Sequence, residues 1–154
     1  MDKDRPRQSA LRKSRYSACS QIYLITTVTR QRCPVFTDLW AGRIVVNELR
    51  RLKDEGDADT LAWVLMPDHL HWLMRLEATM PLSSVVKNLK GRTSRNLNIR
   101  MHRKGAVWQS AYHDHAVRRE EDLRKLARYI VANPLRAGLA TSIGCYSLWD
   151  CIWL

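Results

Sequence analysis

An α+β fold built on one antiparallel sheet is the class this 154-residue sequence predicts. Short β-branched and apolar runs alternate with longer stretches of helical period, so strands and helices are interleaved. Their order is strand, helix, strand, strand, helix, strand, helix. The first six elements make a ferredoxin-like βαββαβ pattern with helices on one face, and the seventh is an added C-terminal helix. The length is that of one domain, with enough chain to bury a core without staples.

Residues 1–20 have no hydrophobic period and carry Lys3, Arg5, Arg7, Arg12, Lys13 and Arg15, which predicts a flexible basic arm. Residues 21–154 are expected to form a single domain. Gln21 to Thr29, QIYLITTVT, reads as the first strand, and Arg30 to Pro34 as a basic loop. Thr37 or Asp38 caps a helix running to about Lys53, with Leu39, Leu49 and Leu52 on its apolar stripe. Thr60 to Met66 is the second strand, Pro67-Asp68 a tight turn, and His69 to Leu76 the third strand. Pro81 suits the first position of a helix that runs to about Met101. Ala106 to Val117 is the fourth strand. Glu120 to Asn133 is the last helix, ended by Pro134, and the tail with Tyr146, Trp149 and Trp153 is expected to fold back over the core.

The charge points to a polyanion. Lys and Arg number 26 against 15 Asp and Glu, a formal net charge of +11, and nucleic acid is the commonest partner for such a chain. Between Lys87 and Lys104 there are seven cations (Lys87, Lys90, Arg92, Arg95, Arg100, Arg103 and Lys104) and no acidic residue, which asks for an anion to neutralise them. Lys87, Lys90, Arg92 and Arg95, with Arg30 and Arg32 of the early loop, are the expected DNA contacts. No apolar run approaches the 18 or so residues of a membrane span, and no signal core follows the N-terminus, so no membrane partner is expected. The four cysteines form no C-x-x-C pair and read as reduced thiols of a cytoplasmic protein.

The chemistry gathers around Leu61 to Leu76, LAWVLMPDHLHWLMRL. Side chains alternate along a strand, so His69 and His71 share one face while Leu70 and Trp72 point the other way. Two neutral imidazoles side by side can bind a divalent metal. They must then lie on the sheet face left free by the helices. On the last helix, Tyr129 falls roughly 120° from the centre of the apolar stripe, with Lys125 and Asn133 one turn to either side. A phenol becomes a useful nucleophile against a metal-polarised phosphate. His113 and His115 form a rival pair, and His115 is the one expected to support the site by a hydrogen bond. Tyr112 is a rival nucleophile.

These residues carry a resemblance. TTVTRQRCPVFTD, WVLMPDHLHWLM, VWQSAYHDHAVR and ARYIVANPLRAGL, spanning Gln21 to Leu139, resemble the REP-associated tyrosine transposases, a branch of the single-tyrosine HUH endonucleases. The resemblance implies that His69 and His71 bind Mg²⁺ or Mn²⁺, that Asn133 is a third ligand, and that Tyr129 is the nucleophile. It implies a substrate of single-stranded DNA folded as a repetitive-palindrome hairpin, nicked and rejoined through a 5′-phosphotyrosine link. It also implies a bacterial, nucleoid-associated protein, monomer or homodimer. The rival readings are a non-catalytic hairpin-binding regulator and a phosphodiesterase that uses water.

Overall fold

The computed structural model describes residues 20–77, 80–118 and 120–154. The basic arm expected at residues 1–20 lies, but for Ser20, outside the described residues. The elements in chain order are β1 (Ile22–Val28), α1 (Leu39–Asp54), β2 (Ala58–Met66), β3 (His69–Leu76), α2 (Leu82–Arg100), β4 (His113–Val117), α3 (Glu120–Val131), the short α4 (Asn133–Arg136) and β5 (Trp149–Cys151). The sheet runs β4-β1-β3-β2-β5, and every pairing is antiparallel. The βαββαβ core is therefore as the sequence predicts.

Two apolar clusters hold the sheet from opposite sides. On one face, Leu70, Trp72 and Met74 of β3 and Tyr23 and Ile25 of β1 pack with Val45, Leu49 and Leu52 of α1 and Val85, Val86 and Leu89 of α2. On the other, Val64, Met66 and Leu73 pack with Leu123, Ala127, Ile130 and Val131 of α3. The second face is thus not wholly free, which corrects the expectation. The last helix has its own apolar stripe and covers the β2 side of that face, because a stripe of that width must be buried.

Three further differences have local causes. The fourth strand is short: residues 106–112 leave the ladder apart from one bridge, Thr29 to Trp108. Trp108 instead turns into the helix-covered cluster, where its Nε1 donates to Thr93 Oγ1 at 2.9 Å and its ring lies 5.3 Å from that of Phe36. The tail does more than cap the core, since its β5 adds a fifth strand beside β2. Finally, Pro134 does not end the last helix cleanly; the chain makes one more turn, α4, before Gly138 at φ 71° closes it.

Candidate active site

The β2–β3 turn positions the histidines. Met66 pairs with His69, so Pro67 and Asp68 alone make the connection, and Pro fits the second position of such a turn. Two loops fix it in place. The Phe36 amide donates to the Pro67 carbonyl at 3.0 Å and the Thr29 amide to the Asp68 carbonyl at 2.8 Å, while the Thr29 hydroxyl lies 2.8 Å from the Cys33 carbonyl and 3.1 Å from that of Asp68. Thr29 is fully buried, so the turn has little freedom to shift.

The register puts His69 and His71 on the face that α3 covers, opposite Leu70 and Trp72. Their rings meet edge to face with centroids 4.8 Å apart. Each is oriented through Nδ1. His69 Nδ1 lies 2.6 Å from Asp68 Oδ1. A carboxylate only accepts, so the proton between them is on Nδ1, and Nε2 is the nitrogen through which this ring could meet a metal. His71 Nδ1 lies 2.9 Å from the hydroxyl of Thr26, its cross-strand neighbour, which can accept in the same way. Burial first, then the charges of His69 and Arg136, push His71 down to about 4, so it is neutral near pH 7. Burial alone would raise the Asp68 carboxyl, but hydrogen bonds from His69 and from Arg32, at 3.2 Å, hold it below the usual carboxylate range.

Two imidazoles oriented through Nδ1, with no described residue bonded to either Nε2, are a fitting half of a divalent metal site. Among the described residues no group of three His, Cys, Asp or Glu could complete one. Amide, phosphate or water oxygens are left to do so, which is the shell Mg²⁺ and Mn²⁺ prefer. Asn133 is the amide candidate. Pro134 has no N–H for the Ile130 carbonyl four residues back, and Asn133 Nδ2 fills that vacancy at 3.0 Å. The bond immobilises the side chain and leaves Oδ1 as its presenting atom. Ile130 and Val131 pack with Val64 and Met66, which are the cross-strand partners of His71 and His69. The end of the last helix therefore lies beside the histidine strand.

Tyr129 is 62% exposed, on the flank of α3 rather than its buried stripe. The Arg136 guanidinium lies 3.8 Å from its ring centroid, and Arg136 Nη2 donates to its carbonyl at 2.6 Å. The same Arg136 charge is felt at His71. One arginine, which the residue pattern had not singled out, thus contacts the tyrosine and bears electrostatically on His71. Its signal was present only as the Arg of the NPLRAG run, three residues after Asn133. Thr26 and Asp68 were also missed, because their roles follow from strand register and turn geometry.

The other expected residues divide. Lys87, Arg95 and Arg30 are exposed. Lys125 is exposed one turn before Tyr129. Arg32 reaches Asp68. Two of the cations expected to be unmatched are engaged within the fold. Arg92 joins Glu48 at 3.2 Å and Glu55 at 3.3 Å, tying α2 to α1, and Lys90 Nζ donates to the carbonyls of Gln109 at 2.5 Å and Ala111 at 3.3 Å. The Arg92 charge is matched by carboxylates distant in sequence, and the Lys90 ammonium is hydrogen-bonded to neutral carbonyls. His115 pairs with Leu24 and is exposed on the edge strand, while the bonds at the two histidines' Nδ1 atoms come from Thr26 and Asp68. Tyr112 packs against the α1–α2 cluster, across the sheet from the histidines. No helix among the described residues is long and apolar enough to cross a membrane.

Comparison with known proteins adds to this geometry. A family model described as "Transposase IS200 like" matches residues 17–133. The REP-associated tyrosine transposase of Escherichia coli K12 is 27% identical over 89 residues, covering 57% of this chain and 51% of that protein. A Haemophilus influenzae protein assigned to the same group is 29% identical over 90 residues, covering 52% of this chain and 51% of its own length. The chain therefore spans about half the length of the curated relatives it matches. Among solved structures, a REP-associated tyrosine transposase bound to a REP hairpin aligns with a TM-score of 0.74 at 20% identity, over 88% of this chain and 79% of that one. A Deinococcus radiodurans protein described as a transposase aligns at 0.54 and 22% identity, over 75% and 93%. At those identities the two structures establish a shared fold.

Proposed function

Because the chain belongs to the IS200-like transposase family, we propose that it nicks and rejoins hairpin-bearing single-stranded DNA, with Tyr129 as nucleophile and His69, His71 and Asn133 as metal ligands. The observation that carries this reading is the histidine pair, oriented through Nδ1 by Asp68 and Thr26, with no described residue bonded to either Nε2. The solved relative bound to a REP hairpin supports the substrate class.

The chain's own residues have distinct tasks. The turn from β2 into β3 sets the histidines, and the Asn133–Ile130 bond sets the amide. A bound Mg²⁺ or Mn²⁺ would neutralise charge on the phosphate oxygens. Arg136 adds a second positive group, and its guanidinium suits a phosphate's paired oxygens. In the step itself the Tyr129 Oη–phosphorus bond forms as the phosphorus–O3′ bond breaks. The phenol proton passes to solvent and the departing 3′ oxygen takes one up. The products are a free 3′-hydroxyl and a 5′-phosphotyrosine, whose retained bond energy lets another 3′-hydroxyl reverse the step without ATP.

The test is cleavage of a panel of palindromic hairpins with single-stranded flanks. His69→Ala and His71→Ala should each abolish Mn²⁺-dependent cleavage while leaving hairpin affinity within a few-fold. Cleavage that survives both changes removes the metal site. Tight metal-independent binding with no cleavage by the unaltered chain identifies a regulator instead.

A further inference from the structure

A second surface has the chemistry of a nucleic-acid track. A groove of about 900 Å³ runs between α1 and the β5 edge, floored by Leu61, Trp63 and Leu148. Trp40, 55% exposed, stands at one end. Trp40, Arg43 and Arg50 recur at i, i+3 and i+10, one face of α1. Arg100 arrives from the end of α2, so that guanidinium carbons of Arg43 and Arg100 lie 4.8 and 5.5 Å from the Trp40 ring centroid. Asp150 is the one acidic residue of the lining, and its Oδ1 already accepts the Cys151 amide at 2.8 Å.

We propose that this groove binds single-stranded nucleic acid, with a base stacked on Trp40 and phosphates held by Arg43, Arg50 and Arg100. The inference rests on the reading that the chain acts on DNA, and it adds where an unpaired flank would run. Exposed indole beside arginines is the combination that holds single strands irrespective of sequence, since every base offers a flat face. A second copy of the chain fits less well, because a two-fold contact would bring these cations against their own images. The position is also apt. Phe36, four residues before Trp40, donates its amide to Pro67 of the turn that carries His69. A strand leaving the histidines around that turn meets the Trp40 end of the groove.

The experiment is fluorescence anisotropy with two probes, a short poly-deoxythymidine oligonucleotide and a blunt hairpin without flanks, each over a salt series. Trp40→Ala should weaken oligonucleotide binding about tenfold, and Trp40→Phe should keep most of it. Arg43→Gln with Arg100→Gln should reduce the salt slope for the oligonucleotide by about 1.4, two phosphate contacts at roughly 0.7 each. Blunt-hairpin affinity should change much less in all three. Unaltered oligonucleotide affinity and slope in these variants overturn the groove while leaving the proposed reaction standing. A shift of sedimentation in Trp40→Ala without loss of oligonucleotide binding overturns it in favour of a contact between copies. Failure of the unaltered chain to bind either probe overturns both.

Discussion

Replacing Asp68 by Asn should weaken Mn²⁺ binding about 10–100-fold, the usual cost of losing a carboxylate behind a histidine ligand. The structure makes the expectation specific. Asp68 Oδ1 is 2.6 Å from His69 Nδ1, and its other oxygen is held by Arg32 at 3.2 Å. Asn keeps the shape but removes the charge, and its amide can turn a donor towards the imidazole. Bonds to an ionised partner contribute about 1.5–3 kcal/mol, against about 0.5–1.5 for neutral pairs. Thr26→Val, which removes the neutral partner of His71 at 2.9 Å, should therefore weaken Mn²⁺ binding less, by roughly 2–10-fold. Calorimetric titration of Mn²⁺ into the metal-free protein measures both. Unchanged affinity in Asp68→Asn, or a larger loss in Thr26→Val, would refute the claim that these Nδ1 bonds prepare a metal site.

Arg92→Gln should lower folding stability by about 1–3 kcal/mol in urea denaturation, since it strips a buried acceptor at Glu48 of its cation. Hairpin affinity should move little, and a large loss of affinity at unaltered stability would return Arg92 to the DNA surface. The metal-free chain should lose stability as pH falls. His71 titrates near 4 when folded against an ordinary 6.5, so the unfolded chain takes up the extra proton throughout that interval. The contribution is complete above about 6.5 and declines towards 4. His71→Ala should flatten that part of the profile, which a pH series of denaturation midpoints would read. Arg136→Gln should cut the cleavage rate at saturating hairpin about tenfold while hairpin binding holds, because its guanidinium lies against the Tyr129 ring. Single-turnover kinetics separate the two effects, and an unchanged rate removes Arg136 from the site.

Much of this architecture is legible in residue order. Strict alternation in HLHWLM sets both histidines on one face and Leu70 and Trp72 on the other, since one buried face fixes the register. Helical phase likewise places Tyr129 on the flank of α3. Long-range matches are less legible. The run from Lys87 to Lys104 looks unmatched in sequence, yet Arg92 finds Glu48 and Glu55 on another helix. β5 is only three residues long, too short for a period to mark it. Trp108 reads as part of a strand because aromatic residues favour strands, but its burial against Phe36 and Thr93 outweighs that preference. Thr26 becomes a histidine partner only once β1 is paired with β3.

The central claim is that Tyr129 forms the covalent bond. A hairpin substrate labelled on its 3′ side, incubated with the chain and Mn²⁺ and then digested, allows the nucleotide-bearing peptide to be sequenced by mass spectrometry. The account predicts a nucleotide on Tyr129 and none in Tyr129→Phe. A nucleotide on Tyr112, or cleavage that leaves every peptide unmodified under conditions that block resealing, would contradict it.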